Sequence, residues 1–156
     1  MRLLAIVVGL CAVTFAASEA RAQDATCDVY EIEAHNDGGA VDKGLEPLAA
    51  KFKKPPFTSW KAFRLLKKHS KPAELKKPVS YKLTPGGKLE LTLKDKDEAK
   101  GKKVRFRVGA AISDKQGKER VSTTSRIDSG DPWFIGGEPL PNKPKSTYFV
   151  GIVCTK

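Results

Sequence analysis

Histidine and cysteine are scarce in this chain: two His and three Cys among 156 residues. No two of them fall at zinc-ligand spacing, so a Cys/His zinc centre has no support in the sequence. After residue 22 there is no apolar run long enough to cross a bilayer as a helix. Catalytic signatures are missing too. STTSR (Ser122–Arg126) offers hydroxyls with no general base in register. DKDE (Asp95–Glu98) lacks EF-hand spacing and lies among Lys94, Lys96, Lys100, Lys102 and Lys103, which repel a cation. It reads as a solvated hairpin tip. No cofactor and no metal is implied. What stays open on the enzymatic side is a pair of carboxylates brought together only by the fold.

The first 22 residues explain where the chain works. Arg2 supplies a positive start, Leu3–Ala17 an apolar stretch of signal-peptide length, and Ala20-Arg21-Ala22 small residues at a cleavage site. We read 1–22 as a cleaved signal peptide; an uncleaved anchor is the alternative. Residues 23–156 then form one domain, soluble and exported to the periplasm or beyond. Cys11 leaves with the signal. Cys27 and Cys154 remain near the two ends, and an even pair in an exported chain favours a disulfide. Closing a loop that long is worth roughly 4–5 kcal/mol through the unfolded chain's entropy. A reactive thiol with a histidine base is the competing reading.

Charge is the most uneven property. The whole chain carries +11, but residues 23–50 hold seven acids against one base. Residues 51–103 hold 17 bases against five acids. Within that excess runs KKPPFTSWKAFRLLKKHSKPAELKKP, Lys53–Pro78. Its candidate binding residues are Lys53, Lys54, Trp60, Lys61, Arg64, Lys67, Lys68, Lys71, Lys76 and Lys77. Lysine outnumbers arginine here, and a hydrated point charge suits general attraction better than forked phosphate recognition.

Periodicity is mostly that of strands. Asp28–Asn36 alternates, with Tyr30 and Ile32 inward and Val29, Glu31 and Glu33 on the other face. Leu45, Leu48, Ala49 and Phe52 share one face of a short helix. The basic segment reads as a strand over about Ser59–Lys68; a helix aligning Trp60, Phe63 and Leu66 is the alternative. Pro85-Gly86-Gly87 turns a hairpin into Leu89, Leu91 and Leu93. Val104, Phe106 and Val108 point inward, Ser113–Lys118 turns, and Glu119–Asp128 returns as a polar strand. DPWFIGGEPLP, a loop at NKPKS, and TYFVGIVC complete the pattern. The expected fold is mainly β: an antiparallel sandwich or twisted sheet with one short helix near its N-terminus.

The strand, the L-x-x-L helix, "F-x-x-W-x-x-F-R-L-L", "P-G-G-K-L-E-L-T-L" and "D-P-W-F-I-G-G" together resemble small exported proteins of unknown function from myxobacteria-like bacteria. The resemblance implies no activity.

Three readings of the basic segment follow. It solvates the domain; it touches anionic lipid headgroups, lipopolysaccharide or acidic polysaccharide, with Trp60, Phe57 and Phe63 as interfacial anchors; or it stacks single-stranded nucleic acid, which fits poorly with export. His69 reads as one more exposed basic-face residue. His35, in HNDGG, reads as part of a turn, with an ion-binding loop as the alternative. The expectation is an exported, non-enzymatic interaction module with a basic face; a small secreted hydrolase is the alternative.

Overall fold

The computed structural model describes residues 23–156. The expected signal peptide and Cys11 lie outside the described residues. Eight antiparallel strands build two four-stranded sheets. They are β1 (Ala25–His35), β2 (Ala62–Ala73), β3 (Pro78–Lys82), β4 (Lys88–Asp97), β5 (Arg105–Ser113), β6 (Glu119–Asp128), β7 (Pro132–Leu140) and β8 (Lys143–Thr155). The first sheet has the order β2-β1-β8-β7, the second β3-β4-β5-β6. Between β1 and β2 lie a 3-10 turn over Lys43–Leu48, a single turn of helix α1 (Ala49–Phe52) and a second 3-10 turn over Phe57–Ser59.

The expected sandwich is present, and it carries a third layer. Leu89, Leu91, Leu93, Phe106 and Val108 of the second sheet meet Cys27, Val29, Val150 and Ile152 of the first. On the opposite face of the first sheet, Tyr30, Ile32, Phe63, Phe149 and Val153 are covered by Leu45, Leu48, Phe52 and Phe57. This cover is largely aromatic: Phe52 stacks on Phe63 at 4.0 Å, and Phe57 meets Phe149 edge-on at 5.4 Å. Gly151 of β8 lies directly beneath it. A Cβ there would stand 3.2 Å from both Leu48 Cδ1 and Phe134 Cε1, so the missing side chain lets the cover approach.

That third layer corrects the reading of β1. The alternation Tyr30/Ile32 against Val29/Glu31/Glu33 is real, but neither face is open. β1 is an interior strand, paired with β2 on one side and β8 on the other. Tyr30 and Ile32 lie under the third layer, while Glu31 and Glu33, on the Val29 face, turn toward the second sheet and are buried at 0% and 2% exposure.

Cys27 and Cys154 are register partners on β1 and β8, joined as a disulfide with Cα atoms 4.1 Å apart. The first and last strands are adjacent, as the cysteine pairing requires. The Pro85–Gly87 turn also forms. Gly86 and Gly87 take φ of +95° and +85°, and a Cβ on Gly87 would collide with the Ser113 carbonyl.

Three boundaries differ from expectation. The basic strand begins at Ala62 and runs on through Pro72, because β2 is an edge strand and its outer side needs no amide donor there. Asp95–Asp97 are not a hairpin tip. They continue β4, opposite Arg107 and Arg105 of β5. Lys143–Ser146 belong to β8 rather than to a loop.

Candidate functional site

The basic segment divides into residues that hold the fold and residues that do not. Lys68 Nζ lies 3.0 Å from Asp28 Oδ2 and 5.0 Å from the Tyr30 ring centre. Hydrogen bonds to Asp28 and Tyr30 raise its ammonium above the ordinary lysine range. Lys71 donates to the Ser80 carbonyl at 2.6 Å across the gap between the two sheets and sits 4.9 Å from the Tyr81 ring centre. Arg64 reaches Glu33 at 3.5 Å, and Lys77 pairs with Glu74. Trp60 is half-buried, edge-on to Phe149 at 5.1 Å. Phe57 in the aromatic cover and Phe63 on β2 beneath it are buried at 7% and 3% exposure, which removes them as interfacial anchors.

Lys53, Lys54, Lys61, Lys67 and Lys76 are different. All five are exposed and make no ion pair among the described residues. Lys76 stands in the left-handed region, at φ 62°, with its amide donating to the Leu93 carbonyl at 2.7 Å. A side chain in that conformation costs about 1 kcal/mol relative to glycine.

The residues missed from sequence form a second group. Glu31 and Glu33, two apart on one face of β1, gather donors from three segments: β2, the β3–β4 turn and β8. Glu31 accepts from the Thr84 amide at 2.6 Å, Tyr148 Oη at 2.8 Å and His69 Nε2 at 3.0 Å. Glu33 accepts from Ser146 Oγ at 2.8 Å and from Lys143 Nζ at 3.0 Å. Burial pushes both carboxyls up, but these hydrogen bonds outweigh it and leave both below the ordinary glutamate range. Burial and the neighbouring Glu31 charge drive the Tyr148 phenol far up. His69 is thus no exposed basic residue: its side chain is 15% exposed, bonded to Glu31 and edge-on to Tyr81. The one available signal was indirect. A strand tied to β8 by Cys27 and followed by a helical cover is flanked on all sides, and its glutamates need partners.

The HNDGG loop works as a connector. Asn36 Oδ1 accepts from the Lys61 amide at 3.1 Å, and Asp42 Oδ2 from the Leu65 amide at 2.9 Å. Among the described residues no three His, Cys, Asp or Glu side chains converge as metal ligands. No helix among them is long and apolar enough to cross a membrane. Compared with known proteins, the chain matches no family model, no curated protein and no solved structure.

Proposed function

We propose that this protein is an exported, non-enzymatic binding module. Its basic edge, β2 with the turns before and after it, rests on an anionic envelope surface: lipid headgroups, lipopolysaccharide or acidic polysaccharide. The carrying observation is the set Lys53, Lys54, Lys61, Lys67 and Lys76, five exposed ammonium groups with no carboxylate partner among the described residues. Arg64, Lys68 and Lys77, in the same stretch, each have one. Cations left unpaired in a chain of +11 raise the local potential and draw polyanions without a specific fork geometry. The disulfide is compatible with export.

Glu31 and Glu33 are the observation that favours a hydrolase instead, being two close and buried carboxylates. Hydrolysis by a carboxylate pair needs one of them held protonated as an acid. Here both are stabilised as anions by hydrogen-bond donors, and neither lines the cleft between the two sheets around Ile112 and Tyr148. Their arrangement is that of structural anions, which supports binding over catalysis.

The test is retention on immobilised heparin and on anionic vesicles as salt rises. Replacing the five lysines with glutamine should lower the salt needed for elution, with the difference shrinking as the Debye length drops below about 8 Å. Replacing Lys68, Lys71 and Lys77 should instead lower stability, with a smaller change in retention. Equal elution of wild type and the five-lysine variant would leave those lysines as solubilising charges only.

A further inference from the structure

The open end of the sandwich, away from the disulfide, holds a cleft of about 490 Å³ between the two sheets. Its walls are Ile112, Val121, Ile135 and Val150 with the ring of Tyr148. The size is that of a small-ligand pocket. We propose that this cleft binds a single aliphatic chain ending in an anionic head, of the kind found in a medium-chain fatty acid. The site is separate from the basic edge.

Three observations lead there. First, the interior asks for no polar partner. Tyr148 is the one wall residue among these five with a polar atom, and its hydroxyl is committed to Glu31 at 2.8 Å. The polar and charged lining residues, among them Ser113, Asp114, Lys115, Arg120 and Glu138, come from the β5–β6 turn and its neighbours rather than from these five. An apolar body therefore fits and a polar one would lose its own hydration.

Second, the walls are deliberately held. Glu31 fastens Tyr148 and, through the Thr84 amide, the turn that carries Leu83, Pro85 and Gly86 along the cleft. A buried carboxylate is a poor choice for stability alone, since apolar packing of the same volume commonly does as well or better. Here it fixes two walls without filling the space between them.

Third, the mouth presents a cation. Asp114 is occupied by Arg120 at 3.2 Å and by the Gln116 and Lys118 amides at 3.0 Å each. Lys115 has no carboxylate partner among the described residues, and its stem crosses Gly86 so closely that a Cβ there would collide with it. Glu138 also stands at the mouth. The anionic assignment rests on Lys115 lying along the cleft wall in a strongly basic chain.

Titrating the protein, disulfide intact, with sodium dodecanoate decides the matter. Amide chemical shifts should move saturably at Gly86, Ile112, Ile135 and Tyr148, with single-site calorimetry. Val121→Trp, checked for an unchanged circular dichroism spectrum, should abolish binding; Ile112→Trp serves if that variant does not fold. Lys115→Gln should weaken it about tenfold, the worth of one charge-assisted contact. Dodecylamine should bind more weakly than dodecanoate. Shifts confined to β2, no saturation, or equal binding by a folded cleft-filling variant would overturn the site. Dodecylamine binding as tightly as dodecanoate would overturn the anionic head. Because the readout lies on other residues, loss of the heparin effect leaves this result untouched.

Discussion

β1 is fastened in two different ways along its length. At Cys27 it is joined covalently to β8, among Ala25, Val29 and Cys154, all apolar and closed from solvent. Two turns of the pleat further on, the same inward face carries Glu31 and Glu33, held by hydroxyl, imidazole, amide and ammonium donors. The covalent end answers to reductant and, while the disulfide is intact, has no group that titrates. The polar end answers to pH and is indifferent to reductant. One strand therefore reports on two properties of its surroundings, and the two can be separated by experiment.

The largest effect should come from the covalent end. Replacing both cysteines with alanine should cost about 4–5 kcal/mol in urea unfolding, by releasing the unfolded chain from a closed loop. That loss should be the same at pH 5 and pH 8. A loss that changes strongly with pH would mean that the two ends are coupled.

Next comes the polar end. Glu31→Gln should cost about 3 kcal/mol, because Tyr148, His69 and the Thr84 amide lose an anionic acceptor while remaining covered. Glu31 and Glu33 titrate below their unfolded values, so their stabilisation is whole above the ordinary glutamate range and is lost as pH falls through the lowered folded values. The variant should unfold in acid with a shallower dependence on pH than wild type. At the alkaline side, Tyr81 is pushed up to about 12 by burial, so its contribution persists to about pH 10 and fades as pH rises through that value. Potentiometric or fluorescence-monitored unfolding across pH measures both arms.

Gly151→Ala should sharpen the comparison by touching neither fastening. Its methyl would press on Leu48, Phe134 and Ile32, costing about 1–3 kcal/mol at any pH and in either redox state. Smallest is Lys76→Gly. Relief of the left-handed backbone should raise stability by about 1 kcal/mol, while heparin retention falls slightly. A Lys76→Gly variant less stable than wild type would show that the lysine side chain itself holds the β2–β3 connection.

Much of this architecture was legible because burial and periodicity agreed. Leu89, Leu91 and Leu93 alternate and face the core, as do Phe106 and Val108, and Pro85-Gly86-Gly87 turns where it should. The cysteine pair announced that β1 and β8 are neighbours. β2 was harder, since an edge strand can be polar on both faces and still be held by pairing with β1 along its length. Phe57 and Phe63 looked like surface aromatics because their neighbours are lysines, yet Phe57 packs down from the cover and Phe63 up from β2 into one buried cluster. The carboxylate pair was invisible for a simpler reason. Alternation gives the polarity of each face of a strand but not what lies over it, and Glu31 and Glu33 find their donors 31 to 117 residues away.

The order of strands carries a consequence for how the molecule assembles. β3 to β6 are consecutive and pair as simple neighbours, so the second sheet can form while the rest of the chain is still arriving. The centre of the first sheet joins β1 to β8, which are separated by every other strand. Until β8 has been made, β1 has only a polar edge strand beside it, and the inward glutamates wait for Ser146, Tyr148 and Lys143. Contacts this distant close slowly. The nascent protein thus spends its early life with the β8 side of β1 unpaired, and a chain halted before residue 143 should be a client for chaperones and proteases rather than a smaller working domain.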